Sequence, residues 1–216
     1  MLETRILGTL IFVHDPMCGW CYGASPLVRA AAAAGIALEL RHRALFTGAN
    51  TIPNTAEFAA FVQTHDARIA QLSGVPFSDA YRARIVANRA MVHDSWASAL
   101  AKQVVDQAAP GRAVDWFLAL EKARFEAGED LADPDVLAGI AAELGLDADA
   151  FRAGMAAPAT AKAAEAERDA AASLCRRHGS GGVPLFLLES AGRLAPLPHG
   201  PFLGDPAGFV RALAAS

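Results

Sequence analysis

Hydrophobic and polar positions follow different periods along the chain, and each period predicts a different element. Residues 6–13 form an apolar run rich in β-branched and aromatic side chains, which predicts a buried strand. Apolar positions alternate with other residues over 36–40, which predicts a second strand. Between them, residues 26–35 favour a helix that closes at Gly35, a residue suited to a left-handed cap. The order strand, helix, strand predicts a βαβ unit with parallel strands and a right-handed connection.

The middle of the chain has the period of helices. Residues 54–177 are rich in alanine, and apolar side chains recur at helical spacing, as at Val136, Ile140 and Leu144. The pair Asp133-Pro134 is a helix start, because Asp can cap free amides and Pro fills a position that needs no donor. Gly145 indicates the end of that helix. The pattern predicts a block of about four to six helices.

The end of the chain returns to a strand pattern. Residues 183–188 form a short apolar strand, 190–192 resemble a turn, and Asp205-Pro206 begins a final amphipathic helix. The two ends of the chain must therefore pack together as one α/β unit. We predict an α/β domain from residues 1–53 and 178–216, with 54–177 inserted as an all-α helical domain.

Composition and charge exclude several classes of protein. With 216 residues and 53% hydrophobic content, the chain can bury a core without disulfide or metal cross-links. Its net charge of -4 indicates no nucleic-acid or membrane partner, because both require clustered Lys and Arg. No apolar run is long enough to cross a membrane, and the first residues read as a strand, not as a signal peptide. We therefore expect a cytoplasmic location.

Two cysteines separated by two residues carry the candidate chemistry. Cys18 and Cys21 lie between the first strand and the first helix, in the sequence Cys-Gly-Trp-Cys. At the start of a helix, free amides and the macrodipole stabilise a thiolate, so Cys18 is the candidate attacking thiol. Cys21 follows one turn later and would resolve the mixed disulfide. In a βαβ context this motif predicts a redox-active dithiol.

The cysteines and Trp20 also allow structural interpretations. A zinc site needs two further ligands, and neither a second Cys pair nor a His pair at finger spacing is present, so no metal is expected. Cys175 shares an apolar helix side with Ala171 and Leu174, which favours a buried structural thiol. Trp20, between the two cysteines, is expected to face solvent or substrate and to contact the substrate.

Three stretches carry a resemblance to a known family. The sequences DPMCGWCYG, FLALEKARFEAGEDLADPDVLAGIAAELGLD and GGVPLFLL resemble, in this order, the DsbA-like group of the thioredoxin superfamily, and within it the FrnE-like branch of protein-disulfide isomerases. The resemblance implies a thioredoxin-like fold with an inserted helical domain, and no cofactor beyond the Cys18–Cys21 disulfide. It also implies a cis Pro184 facing the cysteines and a Val183 backbone that docks protein or peptide thiols and disulfides. Val183 and Pro184 are thus candidate substrate-binding residues.

One departure from the family bears on the direction of the reaction. Strongly oxidising DsbA enzymes carry Pro-His between the cysteines, whereas this chain carries Gly19-Trp20. Without the imidazole Cys18 loses a charge partner, so we expect a reductase or isomerase.

Two rival functions stay open. Kappa-class glutathione transferases and hydroxychromene-carboxylate isomerases share the inserted fold but place Ser at the position of Cys18, and glutathione is a candidate co-substrate here too. A non-catalytic redox sensor is the other rival.

Overall fold

A computed structural model of the chain describes residues 8–215. Short 3-10 turns at Gly48–Asn50 and Gly200–Phe202 complete the connections. In chain order the strands and α-helices are β1 (Gly8–His14), α1 (Gly19–Ala33), β2 (Ala37–His42), β3 (Ile52–Pro53), α2 (Ala56–Ser73), α3 (Asp79–Tyr81), β4 (Val92–His93), α4 (Trp96–Ala108), α5 (Ala113–Lys122), α6 (Pro134–Glu143), α7 (Ala148–Ala156), α8 (Pro158–Arg177), β5 (Leu185–Ser190), β6 (Arg193–Pro196) and α9 (Pro206–Ala214).

The main sheet joins the two ends of the chain. Its strand order is β2-β1-β5-β6, with β1 and β2 parallel and the other neighbours antiparallel. Phe12 in β1 is opposite Leu40 in β2 and Phe186 in β5. The predicted βαβ unit is therefore confirmed, except that the first two residues of the predicted strand, 6 and 7, lie outside the described part of the chain.

Both faces of β1 are covered, which explains its unbroken apolar run. Leu10 and Phe12 pack in a cluster with side chains of α1 and α9. Ile11 and Val13 point the other way and pack against Ala171 and its neighbours in α8. A strand buried on both faces shows no polar alternation.

Helix α1 begins earlier than the sequence pattern predicts. The helix-forming run was expected to begin near Pro26, but the helix begins at Gly19 and contains Pro26 in its interior. Proline there removes one backbone hydrogen bond. Cys21 and Leu27 are buried in the same core cluster, and this packing offsets the loss. The predicted end of the helix is confirmed, since Gly35 has a φ of 74°.

The inserted block has more helices than expected. Residues 54–177, all of which the structure describes, contain seven α-helices instead of four to six. Two of the helices are short or irregular. The helix α3 is a single turn that continues as a π-helix over Arg82–Val86. The helix α5 also continues as a π-helix, over Ala123–Ala127. Within residues 8–215, no helix combines the length and apolar character needed to cross a membrane.

The helix starts and ends that were predicted from capping residues are confirmed. The Asp133 side chain accepts a hydrogen bond from the Asp135 amide at the start of α6, and Gly145 has a φ of 86° after its end. Asp205 caps α9 in the same way. The paired strands β3 and β4 were not predicted. The division at residues 53/54 and 177/178 stays a prediction of domain boundaries.

Candidate active site

The loop between β1 and α1 is held by a buried carboxylate. Asp15 is fully buried, and its two oxygens accept hydrogen bonds from the backbone amides of Met17, at 2.8 Å, and Leu45, at 2.6 Å. The amide of Cys18 donates to the Asp15 carbonyl at 3.0 Å. These bonds fix the backbone that presents Cys18 to the first turn of α1.

Cys18 is the N-cap residue of α1 and is partly exposed, while Cys21 is fully buried one turn later. A hydrogen bond from the Cys21 thiol lowers the pKa of Cys18, and the backbone amides of Cys21 and Trp20 lower it further. Burial and the charge of Asp15 oppose this effect. The arrangement favours a thiolate at the N-terminus of the helix.

Cys21 has the opposite tendency. Burial raises its pKa well above the ordinary value, and its hydrogen bond to Cys18 and the negative charges of Cys18 and Glu121 raise it further. The thiolate is therefore favoured at Cys18, and the protonated thiol is favoured at Cys21. The proton on Cys21 is what stabilises the charge on Cys18.

The loop before β5 meets the cysteines. The Val183–Pro184 peptide bond is cis, as the family resemblance implied. The Cys18 thiol donates to the Val183 carbonyl across 3.7 Å. Both loop residues are half-buried, so their backbone is open to a substrate chain beside the thiol. Their binding role stays a prediction.

Trp20 is half-buried beside the pair. Its indole N–H donates to Nδ1 of His65 at 3.3 Å, and the guanidinium carbon of Arg68 lies 6.0 Å from the ring centroid. Trp20 also lines a cavity of about 290 Å³ that reaches Cys18. The cavity is where a substrate contact by this side chain would occur.

Several buried polar residues near the pair were not found by sequence reasoning. Glu121 is 1% exposed, and neither carboxylate oxygen has a hydrogen-bond partner among the described residues. Burial raises its pKa well above the ordinary value, and the charges of Cys18 and Asp15 raise it further. Arg124 lies in the π-helical extension of the same helix, α5, and is 2% exposed. In the sequence both residues resemble the solvated face of an amphipathic helix, so no local signal distinguishes them.

Cys175 lies away from this arrangement, in a core cluster with Ala171, Leu174 and the sheet. Its thiol donates to the Gly182 carbonyl at 3.6 Å, and burial raises its pKa. These contacts are those of a packed structural thiol.

Comparison with known proteins identifies the family of this chain. The family of DsbA-like thioredoxin domains matches residues 9–196. Cytosolic disulfide reductase DsbM from Pseudomonas aeruginosa is 32% identical, with a TM-score of 0.85 over 96% of this chain and 97% of that one. The structure of the same reductase with glutathione (GSH) is 33% identical, with a TM-score of 0.82 over 96% and 98%.

A more distant structure shares the fold. A 2-hydroxychromene-2-carboxylate isomerase is 17% identical, with a TM-score of 0.61 over 96% of this chain and 98% of that one. Comparison with curated protein sequences gives no match. The fold, the match over most of the chain and the similarity to a disulfide reductase agree: the chain belongs to the DsbA-like thioredoxin-domain family and is a thiol–disulfide oxidoreductase.

Proposed function

We propose that this oxidoreductase is a disulfide reductase in which Cys18 attacks the substrate and Cys21 resolves the mixed disulfide. The observation that carries the proposal is the asymmetry of the pair. Cys18 is partly exposed at a helix N-terminus with a lowered pKa, and Cys21 is buried with a raised pKa. A stabilised thiolate is well populated and is also a good leaving group.

The reaction proceeds in two exchanges. The Cys18 thiolate bonds to one sulfur of the substrate disulfide, the substrate S–S bond breaks, and the other sulfur leaves as a thiolate that takes up a proton. Cys21 then loses its proton and attacks Cys18, which releases the second substrate thiol and leaves the Cys18–Cys21 disulfide. Two molecules of a thiol donor reduce that disulfide and become one oxidised donor disulfide, so electrons and protons balance.

Val183, Pro184 and Trp20 are the proposed substrate contacts. The backbone of the loop lies within reach of the Cys18 sulfur, and an extended peptide can hydrogen-bond to such a backbone without requiring a particular sequence. Trp20 would contact the part of the substrate that enters the adjoining cavity. Protein or peptide disulfides fit this open loop.

Glutathione is the proposed thiol donor, and the cytoplasm the proposed location. Support comes from the similar reductase, which is described as cytosolic and has been solved with glutathione. The Gly19-Trp20 dipeptide supports the reducing direction, because it lacks the histidine of strong oxidases. No metal or other cofactor takes part in the proposed steps.

The test is turnover of insulin disulfides with glutathione as the donor, followed by oxidised glutathione production. Cys18→Ser should abolish turnover, because a hydroxyl is not ionised near neutral pH. Cys21→Ser should allow one attack and then accumulate a covalent adduct on Cys18, visible by peptide mass spectrometry. Cys175→Ser is the matched control and should retain turnover, because that thiol is packed in the core.

Each rival function has its own signature in this experiment. Glutathione-dependent transfer or isomerisation would survive in the Cys21→Ser variant. A redox sensor would react once and stop in the unmodified protein. Adduct formation in the Cys18→Ser variant would reverse the assignment of the two thiols.

A further inference from the structure

The cavity beside Cys18 is walled by apolar side chains that remain in contact with water. Phe61 is 57% exposed, which makes it the most exposed large hydrophobic side chain among residues 8–215. Six further apolar residues of the lining are half-buried: Trp20, Leu45, Phe46, Ile52, Phe58 and Val62. A concave apolar surface that stays open to water is typical of a binding site.

The charged residues of the cavity lie behind this surface. The unpaired nitrogens of Arg124 and His93 are buried. Asp66 is 9% exposed, and its carboxylate accepts a hydrogen bond from the hydroxyl of Tyr81. A ligand in the cavity therefore meets mainly aromatic and aliphatic groups, so the part of the ligand that enters must be apolar.

Helix α2 supplies one side of the cavity and lies directly against the helix that begins at Cys18. A β-carbon added to Gly19 would lie 3.2 Å from Cδ1 of Ile69, and one added to Gly23 would lie 2.6 Å from Cγ2 of the same side chain. Two glycines one turn apart therefore let α2 approach α1 closely. This approach places the cavity face of α2 beside the reactive thiol.

The aromatic rings of this wall hold one another in place. The indole N–H of Trp20 donates to Nδ1 of His65 at 3.3 Å. The ring centroid of His65 lies 4.2 Å from that of Phe61, which in turn lies 6.2 Å from that of Phe58. Side chains that are fixed before binding lose little conformational entropy when a ligand arrives.

We propose that the cavity beside Cys18 binds an apolar, preferably aromatic, side chain next to the reacting cysteine of an unfolded polypeptide. The inference rests on the disulfide reductase function proposed above and names the substrate class of the same site. Cys18 borders both the cavity and the Val183 carbonyl, so a chain that pairs with that backbone and joins its sulfur to Cys18 has a neighbouring side chain at the cavity. A volume of about 290 Å³ admits one large side chain and not a folded surface.

Glutathione, the proposed donor, has no group that suits this cavity. Its cysteine is flanked by glycine and by a charged γ-glutamyl group, so it carries no apolar side chain to bury. In the proposed cycle the polypeptide disulfide binds through the cavity, and glutathione reduces the Cys18–Cys21 disulfide without it. The two half-reactions therefore depend on different residues.

The chemical step is the exchange described above with a defined neighbour. The Cys18 thiolate bonds to the sulfur of the peptide whose apolar side chain occupies the cavity, the S–S bond breaks, and the other peptide leaves as a thiolate that takes up a proton. Cys21 then loses its proton, attacks Cys18 and releases the bound peptide as a thiol. Two molecules of glutathione reduce the remaining Cys18–Cys21 disulfide and become one molecule of oxidised glutathione.

Symmetric disulfides of capped tripeptides test this inference. The sequences are Phe-Cys-Gly, Gly-Cys-Phe and Gly-Cys-Gly, none of which is charged, and oxidised glutathione is the fourth disulfide. Oxidation of the reduced protein, with Cys175→Ser so that only the active pair reacts, is followed by acid quenching, alkylation and mass spectrometry. Each second-order rate constant is divided by the one for N-acetylcysteine. At least one phenylalanine peptide should react about tenfold or more faster than Gly-Cys-Gly, because its ring leaves water for the cavity.

Phe61→Ser removes part of the apolar wall without disturbing the core, because that side chain is exposed. It should slow the faster phenylalanine peptide by about three- to tenfold and change the rates with Gly-Cys-Gly and oxidised glutathione by less than about twofold. Leu72→Ser is the matched control, because Leu72 is 44% exposed on the same helix but does not line the cavity. It should change none of the rates.

The outcomes separate this inference from the proposed function. Equal normalised rates for all three peptides would overturn the inference, as would a Phe61→Ser variant that slows every disulfide equally or none. Failure of the proposed function would look different, because the parent protein would then reduce none of the four disulfides, or Cys18→Ser would reduce them as fast as the parent.

A second measurement needs no variant. N-acetylphenylalaninamide carries the aromatic side chain without a sulfur, and N-acetylglycinamide lacks the side chain. The first compound should compete with the faster phenylalanine peptide and leave exchange with oxidised glutathione unchanged, while the second should inhibit neither reaction. Inhibition of both reactions by N-acetylphenylalaninamide, or of neither, would contradict the inference.

Discussion

Two buried clusters of charged residues in this protein differ in how completely they are hydrogen-bonded. At the end of β2, Lys102 lies 2.9 Å from Glu167 and 2.6 Å from Asp106. Glu167 also accepts from the amide of His42 at 2.9 Å and from the side chain of Gln103. The contacts of Glu167 join α8 to α4 and to β2, so the cluster ties the helical block to the sheet.

Beside the cysteines the pattern is reversed. Arg124, Glu121 and His93 are just as buried, yet each keeps polar atoms without a partner among the described residues. Unpaired buried groups cost free energy, and a fold retains them where the environment itself is used. We therefore expect changes in the partnered cluster to affect stability most, and changes in the unpartnered one to affect how stability and the ionisation of Cys21 depend on pH.

The largest expected effect lies in the partnered cluster. Glu167→Gln removes one of the two charge partners of a buried lysine, Asp106 being the other, which should lower the free energy of unfolding by about 1.5 to 3 kcal/mol. Glu121→Gln is the matched control, because that carboxyl has no partner to lose, and it should change stability by about 1 kcal/mol or less. Urea unfolding of both variants gives the two values. Equal destabilisation would remove the distinction between the clusters.

The second-largest expected effect is a pH dependence of the stability that comes from His93 in the unpartnered cluster. Burial, followed by the charge of Arg124, lowers the pKa of His93 from 6.5 to about 3. The unfolded chain binds a proton on this residue below pH 6.5 that the folded chain rejects, so stability is greatest above pH 6.5 and is lost as the pH falls toward 3. Between pH 6.5 and about pH 5 the loss due to His93 is about 2 kcal/mol.

His93→Asn should remove that part of the pH dependence. The measurement is urea unfolding of variant and parent across this range, since the difference between the two slopes isolates His93 from the other titrating groups. Parallel curves would show that the imidazole is protonated in the folded protein.

The smallest effect concerns the second exchange. The charge of Glu121 contributes to the raised pKa of Cys21, so Glu121→Gln should allow Cys21 to lose its proton at lower pH, by on the order of one pH unit or less. With 5,5′-dithiobis(2-nitrobenzoate), the second release of coloured thiol reports attack by Cys21 on Cys18. Its pH midpoint should fall in this variant and stay unchanged in Cys175→Ser. A rise in the midpoint would contradict the electrostatic role of Glu121.

Local signals in the sequence were sufficient to predict the strands and helices that carry the candidate site. The βαβ unit, the helix start at Asp133 and the placement of Cys18 at the start of α1 all depend on residues within a few positions of each other. Capping and strand alternation act over that range, so they can be read without knowing the tertiary structure. The family resemblance added the cis Pro184, which spacing alone does not indicate.

Long-range packing decided the rest. Pro26 lies inside a helix because its neighbours are buried in the core. The strands β3 and β4 pair with each other although α2 lies between them in the chain. Glu121 and Arg124 have the sequence spacing of a solvated helix face, and they become buried because α5 packs beside α1 and its π-helical extension packs against α3. The sequence by itself therefore determined the type of fold and the place of the Cys18–Cys21 pair in it. Only the tertiary structure decided which charges surround them, because whether a charged side chain meets water depends on elements far away in the chain.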